Sequence, residues 1–383
     1  MDTSTKPTLF EARIYQPLIL SFEKLTDLRM KRGVRYKHEP LIILLFLSKL
    51  GGADSSAEVA DWVQFRFTQL KSLLKLDWHR SPHEVTWKRF LEKAIKAEEV
   101  EEVFSEFLRS LSEEAKELLN LDGKLVRGTK TPETDRQLHL LALQASDLNL
   151  TVEQIALTEA ENEISGARRL LEKADLEQKI VSGDAIFAQK ELSEKVVEKG
   201  GEYLWKLRAN QGKMYELAKE HFEKMTDHYL DRASSLEKGH GRIDERKILT
   251  SFRLSGRIEF PHLEQVFRIR RKSDQVKTGK QSEQTIYGIT SLPVEEYGAA
   301  ELLDLTRKHW QIENGLHYRR DVTFKEDEVR KKSKNAGQIM AALNNLAIGI
   351  LRKIGWKNLA KARRFYEIQF AKGLELIIQP IVL

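Results

Sequence analysis

The chain has 383 residues, of which 41% are hydrophobic and 32% charged, with a formal net charge of +6 and an isoelectric point near 9.1. This length and balance are typical of a globular protein of roughly two or three domains, and the mild basicity permits a polyanionic partner without requiring one. The chain contains no cysteine, which excludes a disulfide scaffold, a thiolate zinc site and a cysteine nucleophile.

The N-terminal third gives no sign of export or membrane insertion. Its longest apolar run, "LIILLFL" at 41–47, is too short to cross a bilayer, and the opening "MDTSTKPTLFEAR" lacks the basic-then-apolar order of a signal peptide. We therefore expect a cytoplasmic protein.

Residues 1–115 are predicted to form an all-helical domain. "SSAE" at 55–58 and "SPHE" at 81–84 each match a capping box, the second with Pro82 at the first helical position. Two helices joined by "KLDWHRS" predict either a helix-turn-helix or a plain helical bundle with a solvated basic face. The helix-turn-helix would point three polar side chains outward, namely Thr86, Lys88 and Arg89.

Residues 116–212 predict a mixed five-stranded sheet with helices on its faces. Strands are expected within 117–128, 139–147, 150–159, 179–187 and 202–210, and helices at 163–175 and 189–201. The first three strands should be antiparallel, because tight turns join them. The later strands should be parallel, because helical crossovers link them.

A β-rich insertion at 213–298 is predicted to interrupt this α/β pattern. It consists of a helix at 213–236 followed by antiparallel strands within 241–273 and 284–292. Residues 299–383 are predicted to form the second part of the core together with C-terminal helices. Two helices are expected there, at 299–320 and 335–355, the second with Asn335 as its N-cap and Gly355 as its stop.

Two aspartates lie at or beyond the ends of predicted strands. Asp122 belongs to the first strand and Asp184 ends the fourth, and this connectivity makes those strands neighbours, ~4.8 Å apart. Two close carboxylates repel unless a cation lies between them, and Mg²⁺ prefers carboxylates, waters and substrate phosphates. The pair therefore predicts a metal site, although either aspartate alone would be better explained as a turn or cap residue.

A third carboxylate is expected from the helix at 299–320. Glu313 lies beside its apolar stripe, with His309, His317 and Arg320 around it; the alternative is a surface glutamate paired with Arg320 or His317. The two histidines cannot share one zinc ion, because eight helical residues rise ~12 Å and zinc ligands lie ~2 Å from the metal. The chain also lacks a G-x-S-x-G elbow and a Walker A loop, so serine hydrolysis and a nucleotide cofactor are not predicted.

Five segments occur in a familiar order: "LDGKLVRG", "SGDAIFAQKEL", "VVEKGGEYLWKLRANQG", "KGHGRIDERKI" and "RKHWQIENGLHYRRDVTFKEDEVR". With the N-terminal "LTDLRMKRGVRYKHEPLIILLFLSKLGGADSSAEVADW", the sequence resembles the H-repeat-associated (ISAs group) insertion-sequence transposases over roughly residues 20–353. The resemblance implies an RNase H-like core of the DDE superfamily, with Asp122, Asp184 and Glu313 as the catalytic, metal-binding triad. Related families often have arginine four residues before the glutamate and lysine seven after it, where this chain has His309 and Arg320.

The resemblance further implies DNA contacts by residues around the triad and on the insertion. For each basic residue the alternative is a solubilising surface charge. The candidates are Lys88, Arg89, Lys124, Arg127, Arg208, Asn210, Gln211, His240, Arg242, Arg246, His309, His317, Arg320, Arg330 and Lys331.

The implied function is cleavage and strand transfer of double-stranded DNA at insertion-sequence ends. It would use two Mg²⁺ ions, with Mn²⁺ as a substitute. The implied partners are terminal inverted repeats and target DNA, bound by at least a homodimer in the bacterial cytoplasm at the nucleoid. Two alternatives stay open at this point: a domesticated DNA-binding protein without transposition, and a stand-alone metal-dependent endonuclease.

Overall fold

The structure, a computed structural model, describes residues 14–15, 17–32, 34–111, 117–129, 137–146, 150–225, 230–239, 241–312, 318–329 and 333–382. The chain forms two compact units, one made of residues 1–113 and 323–383 and the other of residues 114–322. None of the described helices is both long and apolar enough to reach across a lipid bilayer.

The described helices, in chain order, are α1 (Ile19–Glu23), α2 (His38–Leu50), α3 (Ser56–Phe65), α4 (Phe67–Leu73), α5 (Glu84–Arg89), α6 (Ala97–Leu111), α7 (Glu163–Lys173), α8 (Lys190–Glu198), α9 (Lys213–Lys224), α10 (Ala299–Ile312), α11 (Lys334–Lys353), α12 (Leu359–Ile368) and α13 (Phe370–Ile378). The described strands are β1 (Ile14–Tyr15), β2 (Leu118–Val126), β3 (Leu138–Ala145), β4 (Leu150–Ala156), β5 (Ile180–Gly183), β6 (Glu202–Leu207), β7 (Asp231–Gly239), β8 (Arg242–Ser251), β9 (Gln265–Gln275), β10 (Gln281–Thr290) and β11 (Ile381–Val382).

The helical unit is built around α2. Every residue from Leu41 to Leu50 is buried, and α2 packs against α1, α3, α11, α12 and α13. A helix that is apolar on all sides is stable only when neighbours surround it. The run "LIILLFL" is therefore the core of this unit.

The two predicted capping boxes have different outcomes. The first is confirmed, since the Ser55 side chain accepts from the Glu58 backbone N–H and Glu58 bonds back to Ser55. The second is wrong, because α5 begins at Glu84 and is capped by the His83 imidazole. Residues 74–83 separate α4 from α5, a longer connection than the 3–4 residues of a helix-turn-helix, so the bundle is the form observed.

Helices α11 to α13 belong to the helical unit. The N-cap of α11 is Ser333 and not Asn335, whose amide instead donates to the carbonyls of Leu91 and Ile95 and accepts from the Ala97 N–H. The structure thus groups residues 323–383 with the N-terminal helices, whereas the sequence analysis assigned them to the second part of the core. The division of the chain into four functional parts, residues 1–115, 116–212, 213–298 and 299–383, stays a prediction.

The second unit contains one mixed sheet with strand order β4-β3-β2-β5-β6-β10-β9-β8-β7. As predicted, β2, β3 and β4 are antiparallel, β2, β5 and β6 are parallel, and the first and fourth predicted core strands are neighbours. The expected five-stranded sheet is wrong, because β10 pairs antiparallel with β6 and extends the sheet to nine strands. An unpaired β6 edge would leave backbone donors and acceptors open, and the insertion satisfies them.

Helix α10 covers part of this sheet. Leu302 and Leu303 of α10 join a buried cluster with Leu118 of β2, Ile180 of β5 and Leu204 of β6. Side chains alternate between faces along a strand, so residues two and four positions beyond Leu118 and Ile180 lie on the same face as this cluster. Those positions are Asn120, Asp122, Ser182 and Asp184.

Candidate active site

Asp122, Asp184 and Lys206 lie in a row across three adjacent strands. The parallel register pairs Leu121 with Gly183 and Gly183 with Trp205. One residue further along each strand brings the two aspartates and the lysine side by side. The sequence analysis predicted that the first and fourth core strands are neighbours, and this register agrees with that prediction. The catalytic role of the aspartates stays a prediction.

A glycine lies next to each aspartate, Gly123 after Asp122 and Gly183 before Asp184, and neighbouring side chains lie close to the backbone at both glycines. A Cβ on Gly123 would lie 2.7 Å from Glu163 Oε1 and 3.0 Å from His139 Nε2. A Cβ on Gly183 would lie 2.9 Å from ring carbons of both Phe187 and Trp205. The rings around Gly183 leave no room for a side chain, whereas a side chain at Gly123 would only displace the ends of Glu163 and His139, which pair with each other at 3.0 Å.

The Asp184 carboxylate is held by two cations. Lys206 Nζ lies 2.9 Å from Oδ1 and Arg208 Nη2 lies 3.4 Å from Oδ2, while 37% of the Asp184 side chain is exposed. Burial alone would raise the pKa of Asp184, but the charge and hydrogen bond of Lys206, with His309 and Arg208, lower it below the ordinary aspartate value. Asp184 is thus ionised at neutral pH, as a metal ligand must be.

A buried chain of hydrogen bonds lies beneath the aspartates. The Ser146 hydroxyl lies 3.0 Å from the Leu118 carbonyl, and the Asn120 amide nitrogen donates to Ser146 Oγ. Asn120 Oδ1 is 2.5 Å from Ser182 Oγ and 2.7 Å from His309 Nδ1. The chain connects β2, β3, β5 and α10 through polar groups that are all satisfied by one another.

His309 is buried at the end of this chain, with 7% of its surface exposed. Burial, together with the charge of Lys206, lowers the pKa of His309 to about 3, although Asp184 and Asp122 act in the opposite direction. The imidazole is therefore neutral at physiological pH. The sequence analysis gave His309 as a candidate DNA contact, and that assignment stays a prediction.

A cavity of about 400 Å³ opens beside Asp184. Lys206 and Arg208 of the β6 end, Arg271 of β9 and Tyr215 of α9 line it, with Gln284 to Ile286 of β10. Arg271 is anchored by Asp244, whose carboxylate oxygens lie 3.1 and 3.2 Å from Nη2. The insertion strands thus supply one wall of a cationic cavity whose other wall carries Asp184.

Several predicted DNA contacts lie on the surface. Arg127 is exposed after β2, Arg242 begins β8 with 43% of its side chain exposed, and Lys88 and Arg89 are exposed on α5. Arg208 is exposed, and Gln211 donates to the Ala185 carbonyl at 2.5 Å. Asn210 lies in the same short turn, Ala209–Gln211.

Other predicted DNA contacts are buried, which does not suit a side chain that binds phosphate from the surface. Lys124 is paired with Asp321, and Arg246 lies between Glu237 and Asp244. Arg320 is 1% exposed, in the turn Arg319–Thr323. The remaining predicted site residues, Glu313, His240, His317, Arg330 and Lys331, lie outside the described residues.

The carboxylate pair supplies only part of a metal site. Carboxylate oxygens are the donors that hard divalent cations prefer. Within the described ranges, no three His, Asp or Glu side chains converge closely enough to hold an ion. Asp122 and Asp184 therefore fit a divalent cation only with further donors, for which Glu313 is the predicted source.

Four residues of this site were missed by the sequence analysis: Asn120, Ser182, Lys206 and Arg271. The signal for the first two is spacing, since "NLD" and "SGD" each put a polar residue two positions before an aspartate, on the same face of a buried strand. Lys206 could have been found by aligning the three parallel strands β2, β5 and β6, because that alignment places it next to Asp184. Arg271 had no comparable signal, because the pairing of β10 with β6 brings the insertion to the site.

Comparisons with known proteins identify the family of this chain. A family profile described as the transposase DDE domain matches residues 100–350, and a DDE_Tnp_1-associated profile matches residues 19–108. The H repeat-associated putative transposase YhhI of Escherichia coli K12 is 26% identical over 337 residues, covering 85% of this chain and 87% of the relative. The putative transposase YncI of Escherichia coli O157:H7 is 26% identical over 349 residues, covering 88% and 87%.

Among solved structures, a piggyBac transposase synaptic complex with hairpin DNA is similar at a TM-score of 0.46 and 12% identity, covering 94% of this chain and 79% of that one. The family assignment rests on the transposase DDE profile, which spans more than half of the chain and includes both aspartates of the row. The chain therefore belongs to the DDE transposase family and is a transposase enzyme.

Proposed function

We propose that Asp122, Asp184 and Glu313 are the catalytic triad of an RNase H-like core that cuts DNA strands at insertion-sequence ends and joins them to target DNA. The observation that carries this proposal is the register of β2 and β5, which puts two buried-strand aspartates in adjacent positions beside a cationic cavity. Isolated strand-end aspartates are commonly turn residues, but two on neighbouring parallel strands form a carboxylate pair.

The cavity supports a phosphodiester as the substrate. Lys206, Arg208 and Arg271 supply three cations within one cavity, and guanidinium groups bind phosphate oxygens through charge-assisted hydrogen bonds. Asp184 uses only part of this positive charge. A phosphate backbone entering the cavity would meet these cations directly beside the catalytic carboxylate.

The metal ion of this reaction is proposed to be Mg²⁺, replaceable by Mn²⁺, with two ions held by the three carboxylates. DDE transposases generally use divalent metals, and such ions activate the attacking oxygen and stabilise the leaving one. The chain's own contribution is to keep Asp184 ionised through Lys206 and Arg208 and to fix the spacing of the acids through the β2–β5 ladder.

The proposed partners are double-stranded DNA with terminal inverted repeats, target DNA and at least a second copy of this chain. Two DNA ends must be cut and joined together, which favours a homodimer or a higher oligomer on DNA. Lys88 and Arg89, exposed on α5, are proposed to contact the repeats. Backbone phosphate contacts of this kind give most of the non-specific affinity for DNA.

The test is strand cleavage and joining on a plasmid that carries the element's own ends, with Mg²⁺ or Mn²⁺. We expect Asp122→Asn and Asp184→Asn each to abolish cleavage while DNA affinity, measured by fluorescence anisotropy, is retained. Asp304→Asn is the matched control, because Asp304 lies on α10 with 56% of its side chain exposed. It should cleave like the wild type.

Each other outcome has a definite meaning. Metal-dependent cleavage retained in Asp122→Asn would refute the catalytic assignment. Cleavage by the wild type without joined products would identify a stand-alone endonuclease. DNA binding without cleavage by the wild type, under both metals, would identify a domesticated DNA-binding protein.

A further inference from the structure

Asp244 of β8 is a buried carboxylate with three arginines around it. It is 5% exposed, and its oxygens lie 3.2 Å from Arg242 Nε, 3.5 Å from Arg246 Nη2 and 3.1 Å from Arg271 Nη2. Burial raises the pKa of this carboxyl, but hydrogen bonds from Ser273 and Arg271 and the charges of the arginines bring it below the ordinary aspartate value. Asp244 is therefore ionised at neutral pH and accepts from the guanidinium groups around it.

The three arginines differ in their exposure. Arg246 is 7% exposed and also contacts Glu237 at 2.7 Å, so it lies between two carboxylates. Arg242 has 43% of its side chain exposed and Arg271 has 24%, and Arg271 lines the cavity that also contains Asp184. Arg246 thus supports the cluster, whereas Arg271 is the arginine that a ligand in the cavity would meet.

Arg271 lies on the same face of the sheet as the aspartate row. Side chains alternate along a strand, and Phe267 and Ile269, four and two positions before Arg271, belong to the buried cluster under α10. Strand β9 is the third strand from β5 in the sheet order. Three strand spacings of ~4.8 Å, ~14 Å in all, therefore separate Arg271 from Asp184 across the sheet.

We propose that Arg271 binds a phosphate of the DNA backbone other than the one that is cut, and that Asp244 positions Arg271 for this contact. The inference rests on the proposed function, because the same DNA strand must enter the cavity. The reacting phosphate lies at Asp184, and Arg271 is on the opposite wall. Consecutive phosphates of one strand advance ~3.4 Å along the duplex axis, so a separation of ~14 Å puts the second phosphate within about four nucleotides of the cut.

The geometry of the Arg271 guanidinium suits two anions at once. Both of its contacts with Asp244 use Nη2, at 3.1 and 3.2 Å. A guanidinium has five N–H donors in a planar fork, so it can donate to a carboxylate on one side and to a phosphate on another. The carboxylate fixes the direction of the fork before DNA arrives, which reduces the entropy that binding would otherwise cost.

The sign of the Asp244 effect separates positioning from simple electrostatics. A negative charge close to a DNA site repels phosphate, so its removal alone would strengthen binding. A carboxylate that orients Arg271 has the opposite effect, because its removal leaves the guanidinium without a fixed direction.

The test is a scan in which each phosphate of the cleaved strand is replaced in turn by a neutral methylphosphonate. The duplexes carry the element's own end, and binding of the full-length protein is measured by fluorescence anisotropy in EDTA. At one position other than the scissile phosphate, the replacement should weaken wild-type binding by roughly 10- to 100-fold. Arg271→Ala should lose this position-specific effect. Arg270→Ala is the matched control, since Arg270 is the adjacent arginine, exposed on the opposite face of β9, and it should keep the effect.

The outcomes separate this inference from the proposed function. A scan in which Arg271→Ala responds like the wild type at every phosphate, or in which the lost effect falls on the scissile phosphate, overturns the inference. The same holds for a wild-type scan without any sensitive position. Cleavage and joining by the wild type are measured separately, so either result leaves the catalytic assignment to stand or fall by itself.

Asp244→Asn tests the positioning role. It should bind the unmodified duplex more weakly than the wild type, although it removes a negative charge, and it should cause no further loss when combined with Arg271→Ala. Stronger binding, or an equal further loss in the Arg271→Ala background, would overturn the role of Asp244. Circular dichroism confirms that the variant is folded before it is scored, and the Arg271 scan does not depend on it.

Discussion

Replacing Asn120 by leucine should lower the local stability of the sheet more than replacing either serine of the same hydrogen-bond chain by alanine. Asn120 is 1% exposed and bonds to Ser146, Ser182 and His309. Leucine has a similar volume but no polar atoms. Ser182 and His309 can still bond to each other at 3.0 Å, so the loss is about two hydrogen bonds plus one unsatisfied buried group.

At about 1 kcal/mol for each of the two bonds and about 1–3 kcal/mol for the unsatisfied group, the local unfolding free energy should fall by about 3–5 kcal/mol. Hydrogen–deuterium exchange of the β2 and β5 amides measures this quantity without assuming that the whole chain unfolds at once. Because about 1.4 kcal/mol is a factor of ten, exchange should accelerate by about 100- to 4,000-fold. A loss below about 1 kcal/mol would refute the reasoning.

Ser182→Ala is the matched comparison for this experiment. It removes one hydroxyl but leaves the bonds from Asn120 to Ser146 and to His309 in place. The expected cost is about 1 kcal/mol. If the serine variant were as destabilised as the asparagine variant, Asn120 would not be the centre of the chain of bonds.

Three further perturbations test other features of the same unit. Gly183→Ala puts a methyl group 2.9 Å from Trp205 and should lower stability by about 1–3 kcal/mol; an unchanged melting temperature would contradict the packing argument. Arg271→Ala should weaken DNA binding and reduce the slope of log affinity against log salt by about one; an unchanged slope would exclude a phosphate contact. Hydrogen bonding by Arg169 lowers the pKa of Glu161 to about 2, so the stability it adds is complete above the ordinary glutamate pKa and lost as pH falls toward 2. Glu161→Gln should therefore melt below the wild type at pH 7 and equal to it near pH 2, and a gap that persists at pH 2 would refute this.

The order of strands in the core could be predicted because short-range patterns determine it. Tight turns made the first three strands antiparallel, helical crossovers made the later ones parallel, and right-handed crossovers of this kind leave few topologies. The adjacency of Asp122 and Asp184 followed from that order, and the register of β2 and β5 agrees with it.

The features that the sequence did not predict depend on long-range pairing. The pairing of Tyr287–Thr290 with Leu204–Leu207 joins segments about eighty residues apart, and no local pattern selects that edge over another. The burial of His309 was missed for a related reason. Its place on the apolar stripe of α10 was visible, but Asn120, whose side chain bonds to Nδ1 of His309, lies on a strand far away in sequence.

The continuous ladder from β5 through β6 to β10 has a mechanical consequence. Arg271 and the β10 residues of the cavity cannot swing as a hinged lid over Asp184 unless the four cross-strand pairs between β6 and β10 separate. The continuous pairing therefore keeps Arg271 at a fixed distance from Asp184. If these residues act as proposed, any conformational change during the reaction must take place outside this part of the sheet, and the DNA must move to a cavity wall that is already formed.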